Sequence, residues 1–147
     1  MNFNTKKPQS QKRVLICGLG NIGRKHIRIL HQFWPGIKKA VMRSGFGPNC
    51  PETKLVEKQF FEYEQAINWK PDAAVIASPA PFHLEQALLF AKEHIPLLIE
   101  KPIGTEEDPS DKWQDLLRIS LEVPILVGYV LRHDPCASFV KEKLHSN

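Results

Sequence analysis

Short, nearly continuous apolar runs alternate along this chain with longer stretches in which apolar residues recur at helical spacing. The short runs are Arg13 to Cys17, Ile37 to Met42, Ala73 to Ala77, Pro96 to Ile99 and Pro124 to Val127. Unbroken hydrophobicity over so few residues is the pattern of strands covered on both faces. Between them, Asn21 to Phe33, Glu62 to Trp69, Pro81 to Glu93 and Pro109 to Leu121 read as helices; Ile22, Ile29, Leu30 and Phe33 mark the apolar side of the first. A weaker strand at Gln59 to Phe61 and a short helix from Cys136 to Leu144 complete the series. The repeated β-α-β order predicts an α/β fold, a doubly wound and mostly parallel sheet of about six strands with helices on both faces.

Prolines agree with these boundaries. Pro81 suits a first helical turn, where its missing amide would have had no helical partner, and Pro71, Pro96 and Pro124 stand where helices have already ended. Residues Ser44 to Thr53, rich in Gly, Pro and Asn, read as the longest loop.

The first strand runs directly into Gly18-Leu19-Gly20-Asn21-Ile22-Gly23, which opens the first helix. A GxGxxG spacing alone is weak, but strand, spacing and helix together predict a Rossmann-type dinucleotide cradle, the alternative being a glycine-rich turn that binds nothing. Gly18 permits the tight turn, Gly20 lets the backbone approach a pyrophosphate, and Gly23 lets helix and strand pack closely. Unpaired amides at the helix start, at Asn21 and Ile22, would then face the phosphates.

About twenty residues further on, where an acidic side chain would hold the ribose hydroxyls of NAD, the sequence reads Met42-Arg43-Ser44. Arg43 offers a planar fork to a 2′-phosphate and Ser44 a hydroxyl, with Lys38 and Lys39 adding positive charge. The cofactor expected from this is NADP(H), with NAD(H) the alternative if Arg43 is only a solvated loop residue.

Charge sharpens the picture. Residues 1–43 hold ten of the 20 Lys and Arg and no Asp or Glu, whereas the remainder holds ten basic residues against sixteen acidic ones. The positive field thus surrounds the glycine corner. It would also attract nucleic acid, but neither an aromatic stacking platform nor a recognition-helix pattern accompanies it, so no nucleic-acid partner is expected. No apolar run approaches the ~20 residues of a membrane span, and residues 1–12, polar and basic without an apolar signal core, read as a flexible tail. The cytoplasm is the expected location. Cys17, Cys50 and Cys136 show no disulfide or metal spacing and read as reduced thiols, Cys17 as a buried one; no metal site is expected.

Four segments in order resemble the N-terminal domain of the glucose-fructose oxidoreductase, inositol dehydrogenase and MocA family. They are Gly18 to His26, Ala74 to His83, Leu98-Ile-Glu-Lys-Pro102, and Val127 to Arg132 with Pro135. The resemblance covers about residues 13–144 and implies a nicotinamide-dependent oxidoreductase acting on a sugar or cyclitol hydroxyl. It implies that Ser78, Pro79, His83 and Glu100 lie along the cofactor. Lys101 would stand beside the nicotinamide as the acid-base or positioning group, its backbone restricted by Pro102. Tyr129 and Arg132 would lie near the mouth of the site, in reach of substrate. Without the resemblance, His83 reads as a helix-start residue satisfied by local backbone, Lys101 as a charge closing a strand, and Tyr129 as a core ring with its hydroxyl at the surface.

Members of that family continue into a second α/β domain bearing a DxxxH motif, which these 147 residues do not contain. The expected organisation is therefore a tail over 1–12 and one dinucleotide-binding domain over 13–147. Its partner would be a second copy or a separate substrate domain. A truncated module that binds a dinucleotide without performing chemistry is the competing reading.

Overall fold

The computed structural model describes residues 11–47, 50–130 and 134–145. Six strands, β1 (Arg13–Cys17), β2 (Lys38–Met42), β3 (Lys58–Phe60), β4 (Ala73–Ile76), β5 (Leu97–Ile99) and β6 (Ile125–Val127), form one sheet in the order 3-2-1-4-5-6. Every pairing is parallel. The helices are α1 (Asn21–Phe33), α2 (Tyr63–Asn68), α3 (His83–Lys92), α4 (Ser110–Ile119) and α5 (Pro135–His145), with 3-10 turns at Pro51–Leu55 and Ala80–Phe82. This is the Rossmann order, and its reversal point lies between β1 and β4.

Alternation along the strands sorts the core into two layers. Leu15, Cys17, Ala40, Met42, Ala74, Ile76, Leu97 and Ile99 point to one face and meet Ala66 of α2, Leu84, Ala87 and Phe90 of α3 and Leu116 of α4. Ile16, Val75 and Ala77 point to the other and meet Ile27 and Leu30 of α1 and Leu55 of the 3-10 turn. Parallel strands buried on both sides lose their polar alternation, which is why they read as continuous apolar runs. The cover is unequal at β6, where Leu126 remains 67% exposed.

Several boundaries shift from expectation for local reasons. The predicted helix from Pro81 begins at His83, because Ala80–Phe82 forms a 3-10 turn around the proline. The end of the long loop is ordered as the turn Pro51–Leu55. There Glu52 is buried and pairs with Arg28 of α1. Its own backbone amide, with help from Cys50 and Arg28, holds the Glu52 carboxyl below the usual carboxylate range. The start of the expected tail, residues 1–10, lies outside the described residues, while its last two residues are tied down. Gln11 donates to the Gly36 carbonyl at 2.7 Å and Lys12 pairs with Asp72 at 2.8 Å.

Strand register aligns the sheet at its C-terminal edge. Cys17 is paired with Met42 and Ile76, Met42 with Phe60, Ile76 with Ile99, and Ile99 with Val127. The next residue of each chain segment, Gly18, Arg43, Phe61, Ala77, Glu100 and Gly128, therefore leaves the sheet at one level.

Candidate functional site

The turn out of β1 is possible only for glycine. Gly18 has φ +97°, and a Cβ there would stand 2.6 Å from the Ala77 carbonyl oxygen. Its amide donates to the Met42 carbonyl at 2.8 Å, tying the corner to β2. Gly23, one turn into α1, would with a Cβ stand 2.1 Å from the Gly18 carbonyl oxygen, so the helix packs directly on the corner.

Gly20 differs from both. It is the N-cap of α1, and a Cβ on it would meet nothing within 4 Å. No side chain caps the helix and no acidic residue lies in its first turn. The first amides of α1, at Asn21, Ile22 and Gly23, have no acceptor within the helix and lie at the positive end of its dipole. An uncapped helix start beside a backbone left bare on one side fits a diphosphate, which would fill that space and accept from those amides.

The corner borders a cleft of about 820 Å³. Gly18 to Ile22 line one side, Met42 to Ser44 with Gly47 and Cys50 another, and Ala77 to Pro79 with Phe82 a third. Of the residues expected at the cofactor, Gly18, Gly20, Asn21, Ile22, Arg43, Ser44, Ser78 and Pro79 are brought together here. Asn21 accepts a hydrogen bond from Arg24, which also lines the cleft.

Arg43 is 9% exposed and not a solvated loop side chain. Its Nη2 donates to the Gly47 carbonyl at 2.5 Å and its Nη1 lies 3.4 Å from Gln59 Oε1. The guanidinium thus draws the loop after β2 toward β3. Lys38 and Lys39 do not join it. They begin β2, at the opposite edge of the sheet, where Lys38 lies 3.8 Å from Glu57 and Lys39 donates to the Ile37 carbonyl at 2.7 Å. Ser44 is exposed at the cleft, its Oγ 3.5 Å from the Phe46 amide.

After β4, Ser78 Oγ donates to Gln86 Oε1 at 2.7 Å, and Gln86 Nε2 donates to the Tyr63 hydroxyl at 2.9 Å. Gln86, Tyr63 and Phe61 also line the cleft, beyond the residues the sequence points to. A polar residue inside the apolar run of α3 was the one available signal for Gln86.

His83 departs from its expected place along the cofactor. It is 2% exposed, and its ring nitrogens face two backbone carbonyls, Nδ1 that of Pro102 and Nε2 that of Ser78, each at 2.6 Å. It acts on the loops rather than in the cleft.

Glu100 and Lys101 follow β5. The Glu100 carboxylate is largely buried and lies 2.7 Å from His26 Nε2 of α1. Lys101 is exposed and its peptide bond to Pro102 is cis. Tyr129, which follows β6, is 48% exposed and so is not a core ring. Arg132 lies outside the described residues. Cys17 is fully buried, which pushes its thiol far above the usual range and removes it as a nucleophile. Among the described residues no cluster of His, Cys, Asp or Glu could hold a metal ion, and no helix is long and apolar enough to cross a membrane.

Sheet order, glycine corner and uncapped helix define a dinucleotide-binding domain. Residues 12–127 match the family described as "Oxidoreductase family, NAD-binding Rossmann fold", the glucose-fructose oxidoreductase, inositol dehydrogenase and MocA family, and the chain belongs to it. Over 136 residues, 86% of its length, it is 29% identical to an inositol 2-dehydrogenase of Mycolicibacterium smegmatis, of which it spans 38%. The fold is similar to that of a crystal structure of myo-inositol 2-dehydrogenase from Lactobacillus plantarum, with TM-score 0.76, 22% identity, and coverage of 93% of this chain and 42% of that one. It is similar also to scyllo-inositol dehydrogenase from Lactobacillus casei, solved with bound NAD(H) and scyllo-inositol, with TM-score 0.75, 20% identity, and coverage of 93% and 42%. The chain thus spans about two-fifths of the length of these relatives.

Proposed function

We propose that this domain binds NADP(H) across the C-terminal edge of its sheet. There it serves hydride transfer between the nicotinamide and a sugar- or cyclitol-type hydroxyl compound. The observation that carries the reading is the bare side of Gly20 at an uncapped helix start. The amides of Asn21, Ile22 and Gly23 hold the diphosphate, and Ser78 and Pro79 border the path toward β5. The cofactor, when bound, supplies the hydride donor or acceptor.

Preference for the 2′-phosphate rests on the end of β2. No carboxylate stands there, and Arg43 and Ser44 both line the cleft. Arg43 brings positive charge to the cleft wall, which suits a phosphate, whereas a ribose diol is ordinarily read by an acidic residue. NAD(H) bound to the scyllo-inositol dehydrogenase argues for the other cofactor, so the two are to be compared directly.

Lys101 is the group read as facing the reacting carbon, donating to or accepting from the substrate hydroxyl. It is the first exposed side chain after β5, at the edge where ligands of such sheets sit. A substrate domain, in the same protein or a partner, completes the pocket and excludes water from it.

Titration of the chain with NADPH and NADH, followed by reduced-nicotinamide fluorescence, tests this. Tighter NADPH binding is expected, reversed or abolished in Arg43→Asp. Equal affinities in the wild type would remove the NADP assignment, and absence of binding by either would remove the reading as a whole.

A further inference from the structure

The strand-end tripeptide Glu100-Lys101-Pro102 is held on both sides by histidines that do not line the cleft. On one side, His26 Nε2 lies 2.7 Å from Glu100 Oε1. A carboxylate only accepts, so His26 donates. His26 belongs to α1, whose first turn is the glycine corner, so this bond ties the diphosphate cradle to the residue before Lys101. Across from it, Gly128 leaves room for the same carboxylate; a Cβ there would stand 3.0 Å from Glu100 Oε2. The carboxylate is thereby kept between α1 and the end of β6.

On the other side, His83 Nδ1 lies 2.6 Å from the Pro102 carbonyl, while its Nε2 lies 2.6 Å from the Ser78 carbonyl. His83 opens α3 and packs between the loop after β4 and the residue following Lys101, its ring N-H donating to one of the two carbonyls. Its burial excludes water as a competitor for either carbonyl. Each strut therefore runs from one wall of the cleft to one neighbour of Lys101.

We propose that His26 and His83 are positioning residues that brace Lys101, transmitting the placement of the two nucleotide-facing loops to its backbone. The proposal rests on the reading of Lys101 as the group beside the nicotinamide. Neither histidine lines the cleft; His26 acts through Glu100, and His83 through the Pro102 and Ser78 carbonyls.

The test uses the full chain, isotopically labelled for NMR relaxation, with His26→Leu, His26→Gln and Lys101→Ala. His26 is partly exposed, circular dichroism checks that each variant is folded, and glutamine places a donor near the position of Nε2. In the unliganded chain the order parameter of the Lys101 amide is expected to fall from about 0.85 to below about 0.6 in His26→Leu. Return to the wild-type value is expected in His26→Gln, a rescue that loss of packing would not give. With NADPH, His26→Leu is expected to keep affinity while its bound-nicotinamide emission moves to that of Lys101→Ala. An unchanged Lys101 order parameter in His26→Leu, or no recovery in His26→Gln, overturns the brace. Wild-type chain that binds no nucleotide, or emission indifferent to Lys101→Ala, would instead sink the functional reading, and the relaxation result would still decide the brace.

Discussion

Gly23 sits so close to Gly18 that a single added carbon on it would stand 2.1 Å from the Gly18 carbonyl oxygen. Gly20, between them in sequence, has no atom within 4 Å of the same hypothetical carbon. The two glycines should therefore separate folding from binding. Gly23→Ala is expected to destabilise the domain by ~3 kcal/mol, an overpacking cost against rigid backbone, seen as a lower urea midpoint. Gly20→Ala should stay within ~1 kcal/mol of wild type, a change expected at a helix cap, while losing most of its NADPH affinity. Retained affinity in Gly20→Ala would place the diphosphate elsewhere.

The three cysteines offer a map of the cleft. Cys17 is buried, Cys136 exposed, and Cys50 partly buried on the cleft wall. Alkylation of the native chain should modify Cys136 and Cys50 and spare Cys17 until unfolding. NADPH at about ten times its dissociation constant should slow Cys50 alone by ~10-fold. Peptide mass spectrometry reads all three at once, and equal slowing at Cys136 would point to an effect other than occupancy.

Asp72 anchors the start of β1 to that of β4. Lys12 Nζ donates to Oδ1 and the Arg13 amide to Oδ2, each at 2.8 Å, and these bonds hold the carboxyl below its ordinary range. A carboxyl with a lowered folded value contributes stability above its unfolded pKa of ~3.9 and loses it as pH falls through the folded value. Asp72→Asn should lower the urea midpoint at pH 7, with the difference vanishing near pH 2. A constant difference across that range would show that the anchor does not depend on charge.

Two helices end on left-handed residues that carry a side chain, Lys70 after α2 at φ 54° and His94 after α3 at φ 55°. Glycine takes this conformation without the steric cost of ~1 kcal/mol borne by other residues. His94→Gly is expected to raise the urea midpoint by an amount equivalent to ~1 kcal/mol. No gain would mean that the His94 side chain makes a compensating contact.

The bounds of β1 and α1 matched the apolar pattern because both ends of the glycine corner are set by local constraints. Elsewhere the ends of apolar runs overshot. Pro96 and Pro124 give their carbonyls to Ala74 and Leu97 but have no N-H with which to continue a ladder. At the glycine corner, what depends on backbone form alone, the tight turn at Gly18 and the close packing at Gly23, is legible in the sequence. Residues whose role depends on a distant partner are not: His26 meets Glu100 across 74 positions, and Gln86 meets Tyr63 across 23. His83, at a helix start, meets the nearby Ser78 carbonyl, whereas its second carbonyl, that of Pro102, lies 19 positions away and has no local signal. Lys38 and Lys39 illustrate the converse error, because closeness to Arg43 in sequence becomes separation once a strand is extended.

Cys17, Met42, Phe60, Ile76, Ile99 and Val127 finish level with one another. Each outgoing connection consequently starts from a position that the ladder dictates and the connection itself does not. One loop can be lengthened, shortened or given new chemistry without displacing the origins of its neighbours. The ladder thus sets where each rim segment begins, while contacts between segments, such as those of Arg43, His83 and His26, set how far one can change without its neighbour.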